Sequence, residues 1–251
     1  MDNLKQILDL ASRMAVVLIG SGAEISRVEE TLQHISDHFE VDRTEMFVIA
    51  NGLFVSMQKG GVYEHVRIQY VPEVSANMAK ICRVNEMSRA LCENRWTVEE
   101  ALDELSAIEQ YRCRRRYLVV LASGFGAGAF CYLFGGNFRD CIGAGISGFV
   151  LWLVLELVDK LHLSRVLLNI AGAWLATLVC LIFYKFGLIQ HVSNAIMGAV
   201  IPLVPGVLFL NGIRDIADGD FISGGIRLME AIMIFFCIAA GMVIAMRLWH
   251  I

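Results

Sequence analysis

Residues 117–138 read YLVVLASGFGAGAFCYLFGGNF and contain no Asp, Glu, Lys or Arg. A helix needs about 20 predominantly apolar residues to cross the hydrocarbon core of a bilayer, so this segment is long enough to do so. Four later segments are similarly apolar, and we expect one crossing in each of them: 142–157, 166–184, part of 186–213, and 228–246. The sequence therefore predicts five transmembrane helices after residue 116.

Charged residues are concentrated before this point. Residues 1–116 hold 14 Lys and Arg and 18 Asp and Glu, whereas residues 117–251 hold 7 and 7. Over the whole chain 57% of residues are hydrophobic and only 18% are charged, below the value of about a quarter that soluble domains have. We therefore expect two domains, a cytoplasmic one over 1–116 and a membrane domain over 117–251.

The first domain shows both helical and strand patterns. Apolar residues recur at helical spacing over 4–19 and 23–39, which predicts two amphipathic helices. Thr97 and Glu100 form a capping-box pattern that opens a later helix. The predicted fold class is an α+β cytoplasmic N-terminal domain followed by an all-α polytopic membrane domain of five transmembrane helices.

Alternating apolar residues between 44 and 70 predict two or three antiparallel strands, the last over 66–70. Asn51-Gly52 is a turn signal between the first two of them. It is equally compatible with a bulge inside one long strand, and the pattern does not decide between these alternatives.

Several functional classes are disfavoured by the sequence. A net charge of −4 gives no basic stripe for nucleic acid. Seven cysteines without a C-x-x-C pair indicate neither a disulfide framework nor a zinc site. Glu30, His34 and His38 share a helix face that could hold a metal, but a solvated face is the simpler interpretation. We expect no metal, no cofactor and no nucleic-acid partner.

Enzyme motifs give no support to catalysis. The G-x-S-x-G, H-E-x-x-H and P-loop patterns do not occur in the chain, and we assign no catalytic residue. Residues 143–148 match G-x-G-x-x-G, but they lie in an apolar segment rather than between a strand and a helix. We interpret these glycines, with Gly124 and Gly128, as close helix contacts.

The distribution of basic residues predicts the orientation in the membrane, because cytoplasmic loops collect Lys and Arg. With the N-terminus inside, three basic residues flank the outer side, Arg139, Lys185 and Arg247. Eight flank the inner side: Arg112, Arg114, Arg115, Arg116, Lys160, Arg165, Arg214 and Arg227. We expect a multi-pass protein of the bacterial cell membrane with a cytoplasmic N-terminus and an external C-terminus.

The fourth apolar segment is interrupted by Pro202, Pro205 and Gly206. Each proline removes a backbone donor and obstructs the carbonyl four residues back, so the helix should kink or unwind. Broken helices mark substrate sites in transporters, because freed backbone groups at membrane depth need protein, water or a ligand. An ordinary proline kink is the alternative.

Polar residues follow the interruption and could line a path for a polar cargo. Charges near a span are costly unless they are paired or used. The candidates are Asn211, Arg214, Asp215, Arg227 and Glu230, whereas Asp218 and Asp220 are most simply a solvated turn.

Three segments together resemble the threonine/serine exporter (ThrE-type) family, and within it the shorter YjjP-like subunits of a split exporter. They are residues 21–30 (SGAEISRVEE), 202–215 (PLVPGVLFLNGIRD) and 220–227 (DFISGGIR). The resemblance covers nearly the whole chain, and the PLVPG run is its most specific part.

This resemblance implies an export function and a partner. It implies a hetero-oligomer with a small YjjB-like membrane protein that completes the transporter. It also singles out an N-terminal-domain motif, Gly22, Glu24, Arg27 and Glu29, for which a hydrolase role has been suggested in the family. From the residues themselves, Glu24 is better explained as a carboxylate at a helix start.

We therefore predict a subunit of a secondary transporter that exports small carboxylate-bearing metabolites. Threonine or serine is the first candidate cargo and a succinate-type dicarboxylate the second. The predicted substrate-binding residues are Pro202, Pro205, Gly206, Asn211, Arg214, Asp215, Arg227 and Glu230. A membrane-tethered hydrolase and a metabolite sensor anchored by its spans are the alternatives, and five spans exceed what an anchor needs.

Overall fold

The computed structural model describes residues 4–65, 69–71, 76–111, 116–158 and 164–249. Arg112, Arg114, Arg115 and Lys160 of the orientation argument lie outside these residues, as do positions 66–68 of the predicted last strand. The chain divides into two compact units. The first comprises Met1–Arg112 and Gly206–Met229, and the second comprises Cys113–Pro205 and Glu230–Ile251.

Helices form most of the described chain. In order, the elements are α1 (Leu4–Gly20), α2 (Ile25–His38), β1 (Arg43–Ile49), β2 (Gly52–Lys59), β3 (Val62–His65), β4 (Gln69–Tyr70), α3 (Met78–Cys92), α4 (Val98–Glu109), α5 (Arg116–Leu133), α6 (Phe138–Val158), α7 (Arg165–Lys185), α8 (Val192–Val200), α9 (Gly206–Ala217) and α10 (Phe221–Leu248). A short 3-10 turn, Ile201–Leu203, follows α8.

Helix α1 lies at the centre of the first unit. It packs against α2, α3, α4 and β2, and it buries residues around most of its circumference, among them Leu10, Met14 and Leu18. Each such side chain contributes about 1.5–3 kcal/mol by leaving water. The exposed residues Lys5, Gln6 and Asp9 share the opposite face, so α1 is amphipathic as its spacing predicted.

The sheet is small and antiparallel, in the order β1-β2-β3, with the two-residue β4 also paired to β2. Ile49 pairs with Gly52, so Ala50 and Asn51 form a two-residue hairpin loop and the bulge alternative is excluded. A side chain at Gly52 would meet the Gln69 carbonyl oxygen at 3.0 Å, which explains the glycine. We expected two or three strands, and the described residues contain four.

Helix α4 begins as its sequence predicts. The Thr97 hydroxyl accepts a hydrogen bond from the Glu100 amide, and the Glu100 carboxylate accepts one from the Thr97 amide. The amide and the hydroxyl of Thr97 both donate to the Glu100 carboxylate and lower its pKa, because these bonds favour the charged form.

In the second unit, α5 and α6 pack through glycines. A Cβ at Gly124 would lie 3.0 Å from the Gly145 carbonyl oxygen, and one at Gly128 would lie 3.0 Å from the Cys141 carbonyl oxygen. The G-x-G-x-x-G match therefore lies inside α6 and serves helix packing.

The predicted fold class is wrong, since the described protein is mostly helical with one small sheet and does not contain five clear spans. Three helices, α6, α7 and α10, are long and apolar enough to cross a membrane, or four candidates if α8 and α9 are taken as one broken span. The predicted first span fails on length. Gly135, with φ of +86°, belongs to a turn that ends α5 after Leu133, and only Tyr117–Leu133 remains as a shorter apolar helix.

Candidate functional site

The turn between α1 and α2, Ser21–Glu24, is the first component of the candidate site. Gly22 has φ of +78°, a conformation that favours glycine, and it allows the Ala23 amide to bond back to the Leu18 carbonyl oxygen at 3.0 Å. The Ser21 carbonyl accepts the Asn77 amide at 3.0 Å. The carbonyl oxygens of Gly22 and Ala23 accept hydrogen bonds from side chains of residues 206–229.

The second component is a helical hairpin formed by α9 and the start of α10, residues 206–229. Its two helices approach closely, because a Cβ at Gly224 would lie 2.7 Å from the Gly212 carbonyl oxygen. Gly219, with φ of +94°, forms the turn between them. The Asp220 carboxylate accepts the Ser223 amide at 3.0 Å, so Asp220 caps α10 rather than being only solvated.

Three side chains of the hairpin hold the turn, and we call Asn211, Asp215 and Arg227 the polar clamp. The Asn211 amide donates to the Gly22 carbonyl oxygen at 2.9 Å. The Arg227 guanidinium donates to the Ala23 carbonyl oxygen at 2.8 Å. The Ile25 amide donates to the Asp215 carboxylate at 3.5 Å. The clamp therefore satisfies the backbone groups that the turn leaves free.

Arg227 and Asp215 also pair with each other. Their Nη1 and Oδ2 atoms lie 2.7 Å apart, and each side chain is 2% exposed. Removing one partner of a buried pair leaves an uncompensated charge and costs about 3–5 kcal/mol. Any further carboxylate would therefore have to displace Asp215 to pair with Arg227.

Arg214 pairs with Glu24 at the edge of the clamp. This pair is more accessible, since the Arg214 side chain is 50% exposed and the Glu24 side chain 20%. Glu24 occupies the position that precedes α2 but makes no side-chain capping bond. The carboxylate at the start of this helix comes instead from Asp215.

The remaining N-terminal motif residues lie on the outer side of α2. Arg27 and Glu29 are exposed. Although the Glu29 residue is exposed overall, partial desolvation of its carboxyl raises its pKa, and the negative charge of Asp220 raises it further. Gly22 and Glu24 thus meet predicted substrate residues of the hairpin, whereas Arg27 makes no such contact in the described structure.

The predicted break is present between α8 and α9. Pro202 lies in the 3-10 turn, Val204 is extended with φ of −65° and ψ of 125°, and Gly206 opens α9 after Pro205. Each half, Val192–Leu203 or Gly206–Ala217, is about 18 Å long at 1.5 Å per residue. Neither half alone crosses a hydrocarbon core of about 30 Å.

Glu230 belongs to the second unit. Its carboxylate lies 3.3 Å from the Arg165 guanidinium. Although Glu230 is three residues from Arg227, the bonds found for Arg227 are to Asp215 and Ala23.

Sequence reasoning missed a buried carboxylate in the second unit. Asp140 is fully buried and accepts the amides of Asn137 at 2.9 Å, Gln190 at 2.6 Å and His191 at 3.1 Å. It therefore caps both α6 and α8. The available signal was a polar residue, Asn137, with a carboxylate three positions on, just before an apolar run.

The part of the chain that the structure describes contains no candidate metal site. No group of three or more His, Cys, Asp or Glu residues is placed to hold a metal ion there. The shared face of Glu30, His34 and His38 on α2 therefore provides no metal centre among the described residues.

Several apolar helices of membrane-spanning length, joined to a mixed helical and sheet unit, define a multi-pass membrane protein. Its sequence matches the family "Putative threonine/serine exporter" (ThrE) over residues 9–249. The chain belongs to this family, which the sequence resemblance had indicated.

Curated relatives of different lengths match the chain. A "Threonine/serine exporter" of Corynebacterium glutamicum is 22% identical over 98% of this chain and 52% of its own length. A "Probable threonine/serine exporter" of Mycobacterium tuberculosis is 23% identical over 97% and 46%. The "Probable succinate transporter subunit YjjP" of Escherichia coli is 21% identical over 98% and 95%.

This chain thus spans about half the length of the two exporters and nearly all of the transporter subunit. No solved structure matches the chain.

Proposed function

We propose that this chain is one subunit of a secondary exporter of small carboxylate-bearing metabolites. Threonine or serine is the first candidate cargo and a succinate-type dicarboxylate the second. The observation that carries the proposal is the set of charged and amide side chains on the hairpin, Asn211, Arg214, Asp215 and Arg227, in a chain of an exporter family.

The chemistry of these groups suits such a cargo. A guanidinium binds a carboxylate through charge-assisted hydrogen bonds, which are stronger than neutral ones. Arg214 is the accessible guanidinium and Arg227 the buried one. Asp215 or Glu230 balances the positive charge and is a candidate carrier of the coupling proton, in a cycle driven by protons or by membrane potential.

The break at Pro202, Pro205 and Gly206 supports the same proposal. Val204 is extended and the flanking helices stop on either side of it. Backbone groups released from a helix at membrane depth need a polar partner. In this proposal the partner is the cargo during its passage.

The coverage of the relatives supports a second subunit. The relatives named as exporters are about twice as long as the matched region, and the relative of similar length is named a subunit. We propose that a small YjjB-like membrane protein supplies the remaining part of the path. Halves that form one path bury their polar lining against each other.

The four arginines at positions 112, 114, 115 and 116, which precede every candidate span, support a cytoplasmic N-terminus in the bacterial cell membrane. An external C-terminus then requires an odd number of crossings. Three crossings, by α6, α7 and α10, meet this requirement.

Counterflow in membrane vesicles that contain this chain and its YjjB-like partner tests the proposal. Labelled L-threonine, L-serine and succinate are offered separately. We expect accumulation of at least one of them, and its loss in Arg214→Gln. Arg83→Gln is the matched control, because Arg83 is a similarly exposed arginine paired with Glu104 at 3.3 Å, away from the hairpin. Vesicles with both chains that move none of the three solutes would overturn the proposal.

A further inference from the structure

The segment between α1 and α2 presents several polar groups to the hairpin, about as many as a small metabolite carries. It offers one carboxylate, from Glu24, and the carbonyl oxygens of Gly22 and Ala23. It also offers the Ile25 amide as a hydrogen-bond donor. Each of these groups is met by a side chain of opposite character on the hairpin.

Among these hairpin groups, the Arg214 guanidinium is the one that matches a free carboxylate without leaving the folded core. A guanidinium binds a carboxylate through charge-assisted hydrogen bonds, and Glu24 supplies that carboxylate from within the chain. Asn211 and Asp215 are buried and hold the Gly22 carbonyl oxygen and the Ile25 amide. At Arg214, the turn therefore occupies a group whose chemistry fits the proposed cargo.

Accessibility separates the parts of this contact. Arg227 and Asp215 are both 2% exposed, so their pair is part of the folded core of the first unit. The Arg214 side chain is 50% exposed and that of Glu24 20% exposed, and an exposed ion pair is weak. Glu24 is thus the group that a soluble carboxylate can replace with least disturbance.

We propose that Glu24 is a tethered competitor, whose carboxylate occupies on Arg214 the position that the cargo carboxylate takes during transport. This rests on the proposed export function. Glu24 then occupies the Arg214 guanidinium when cargo is scarce. Cargo at sufficient concentration displaces Glu24 and releases the edge of the clamp, while Arg227 and Asp215 keep the hairpin folded.

The first test is the concentration dependence of counterflow in vesicles that hold both chains. Glu24→Gln removes the competing charge but keeps the size of the side chain. We expect the half-saturating concentration of the transported solute to fall about two- to fivefold, which corresponds to the small free energy of an exposed pair. Glu30→Gln, an exposed glutamate on the same helix outside the clamp, is the control and should leave it unchanged.

A charge exchange distinguishes competition from a purely structural bond. Glu24→Arg combined with Arg214→Glu keeps an ion pair at this position but removes the guanidinium from the hairpin. Competition predicts that the exchanged protein melts near the wild-type temperature and does not move cargo. A structural role predicts that the exchange restores transport lost in Arg214→Glu.

The outcomes separate this proposal from the proposed function. If wild-type vesicles transport a solute and Glu24→Gln does not lower its half-saturating concentration, the competitor role is wrong and the export function stands. Transport by the charge-exchanged protein has the same consequence. If wild-type vesicles transport none of the three solutes, both proposals fall.

Discussion

The guanidinium of Arg227 lies 2.7 Å from the carboxylate of Asp215, and both side chains are almost completely buried. Arg227 also bonds the Ala23 carbonyl oxygen in the turn between α1 and α2, and Asp215 accepts the Ile25 amide at the start of α2. The pair therefore neutralises two buried charges and joins the hairpin to the N-terminal helices in one contact.

Arg227→Ala should lower the free energy of unfolding by about 3–5 kcal/mol, because it leaves the buried Asp215 charge unpaired. Asp215→Ala should have a similar cost. Since both changes remove the same interaction, the double variant should cost clearly less than their sum. Denaturant unfolding of the detergent-purified chain measures all three variants. Additive costs would show that the two side chains act independently.

Arg165→Gln is the control for this cycle. It breaks the Arg165–Glu230 pair, whose side chains are 49% and 33% exposed. Exposed pairs contribute at most about 1 kcal/mol, so we expect a small change.

Gly224→Ala should destabilise the hairpin by about 1–3 kcal/mol, the usual cost of an added group in a packed core. The new Cβ would lie 2.6 Å from the Ile216 Cγ1 atom and 2.7 Å from the Gly212 carbonyl oxygen. Gly225→Ala is the matched control, because no atom lies within 4 Å of its added Cβ. Melting temperatures of the two variants make the comparison, and equal effects would contradict the close helix contact.

Asp140→Ala should destabilise the second unit by about 1–3 kcal/mol, because it leaves buried amides at the starts of α6 and α8 without an acceptor. The expected loss is specific to the carboxylate. Arg139→Ala, the exposed neighbour in the same helical turn, should change the melting temperature little. A wild-type melting temperature for Asp140→Ala would show that water or other groups replace this cap.

Glu29→Gln should raise the melting temperature at pH 7 but not at pH 4. The pKa of Glu29 is raised above its ordinary 4.5 by partial burial and by the Asp220 charge. The stability that protonated Glu29 provides is therefore complete below pH 4.5 and is lost as the pH rises through the raised pKa. Glutamine stays uncharged and avoids this loss.

Asp220→Asn provides the second arm of this experiment. It removes one cause of the raised Glu29 pKa, so the stabilisation by Glu29→Gln at pH 7 should be smaller in that background. An equal stabilisation at pH 4 and pH 7 would show that charge at Glu29 does not matter.

Local signals in the sequence were sufficient for local structure. The capping pair of Thr97 and Glu100 was predicted from adjacent residues and depends on bonds within a few positions. At Asn51-Gly52 the sequence left a turn and a bulge open, and the structure has a two-residue loop at Ala50 and Asn51. The break after Pro202 was predicted for the same reason, because a proline acts on its own helical turn.

The predicted number of spans was wrong because mean hydropathy does not show where a helix ends or which of its residues pack inside the protein. Residues 134–136 carry no charge, so a hydropathy window counts them as part of the span. In the structure, however, the helix has ended before them, and Gly135 forms a turn at positive φ. Helix α9 is apolar on average but buries Asn211 and Asp215 on one face. Their spacing of four residues was a signal of a packed polar face.

The polar clamp could not be derived from spacing. Its bonds to the N-terminal segment join residues 189 to 204 positions apart, and sequence reasoning placed Glu24 and Arg214 in two separate groups. The family resemblance marked the three segments that meet, but it contained no information on which side chains pair.

The first unit is discontinuous along the chain, since Gly206–Met229 completes what Met1–Arg112 begins. A ribosome makes the two parts in order, with α5 to α8 between them. The early part therefore leaves the ribosome with Ile25 and Ala23 lacking their clamp partners, and it must wait while the intervening apolar helices are delivered to the bilayer. Correct folding of the N-terminal half thus depends on successful biogenesis of the membrane segment, so failed insertion exposes an unfinished domain to chaperones and proteases.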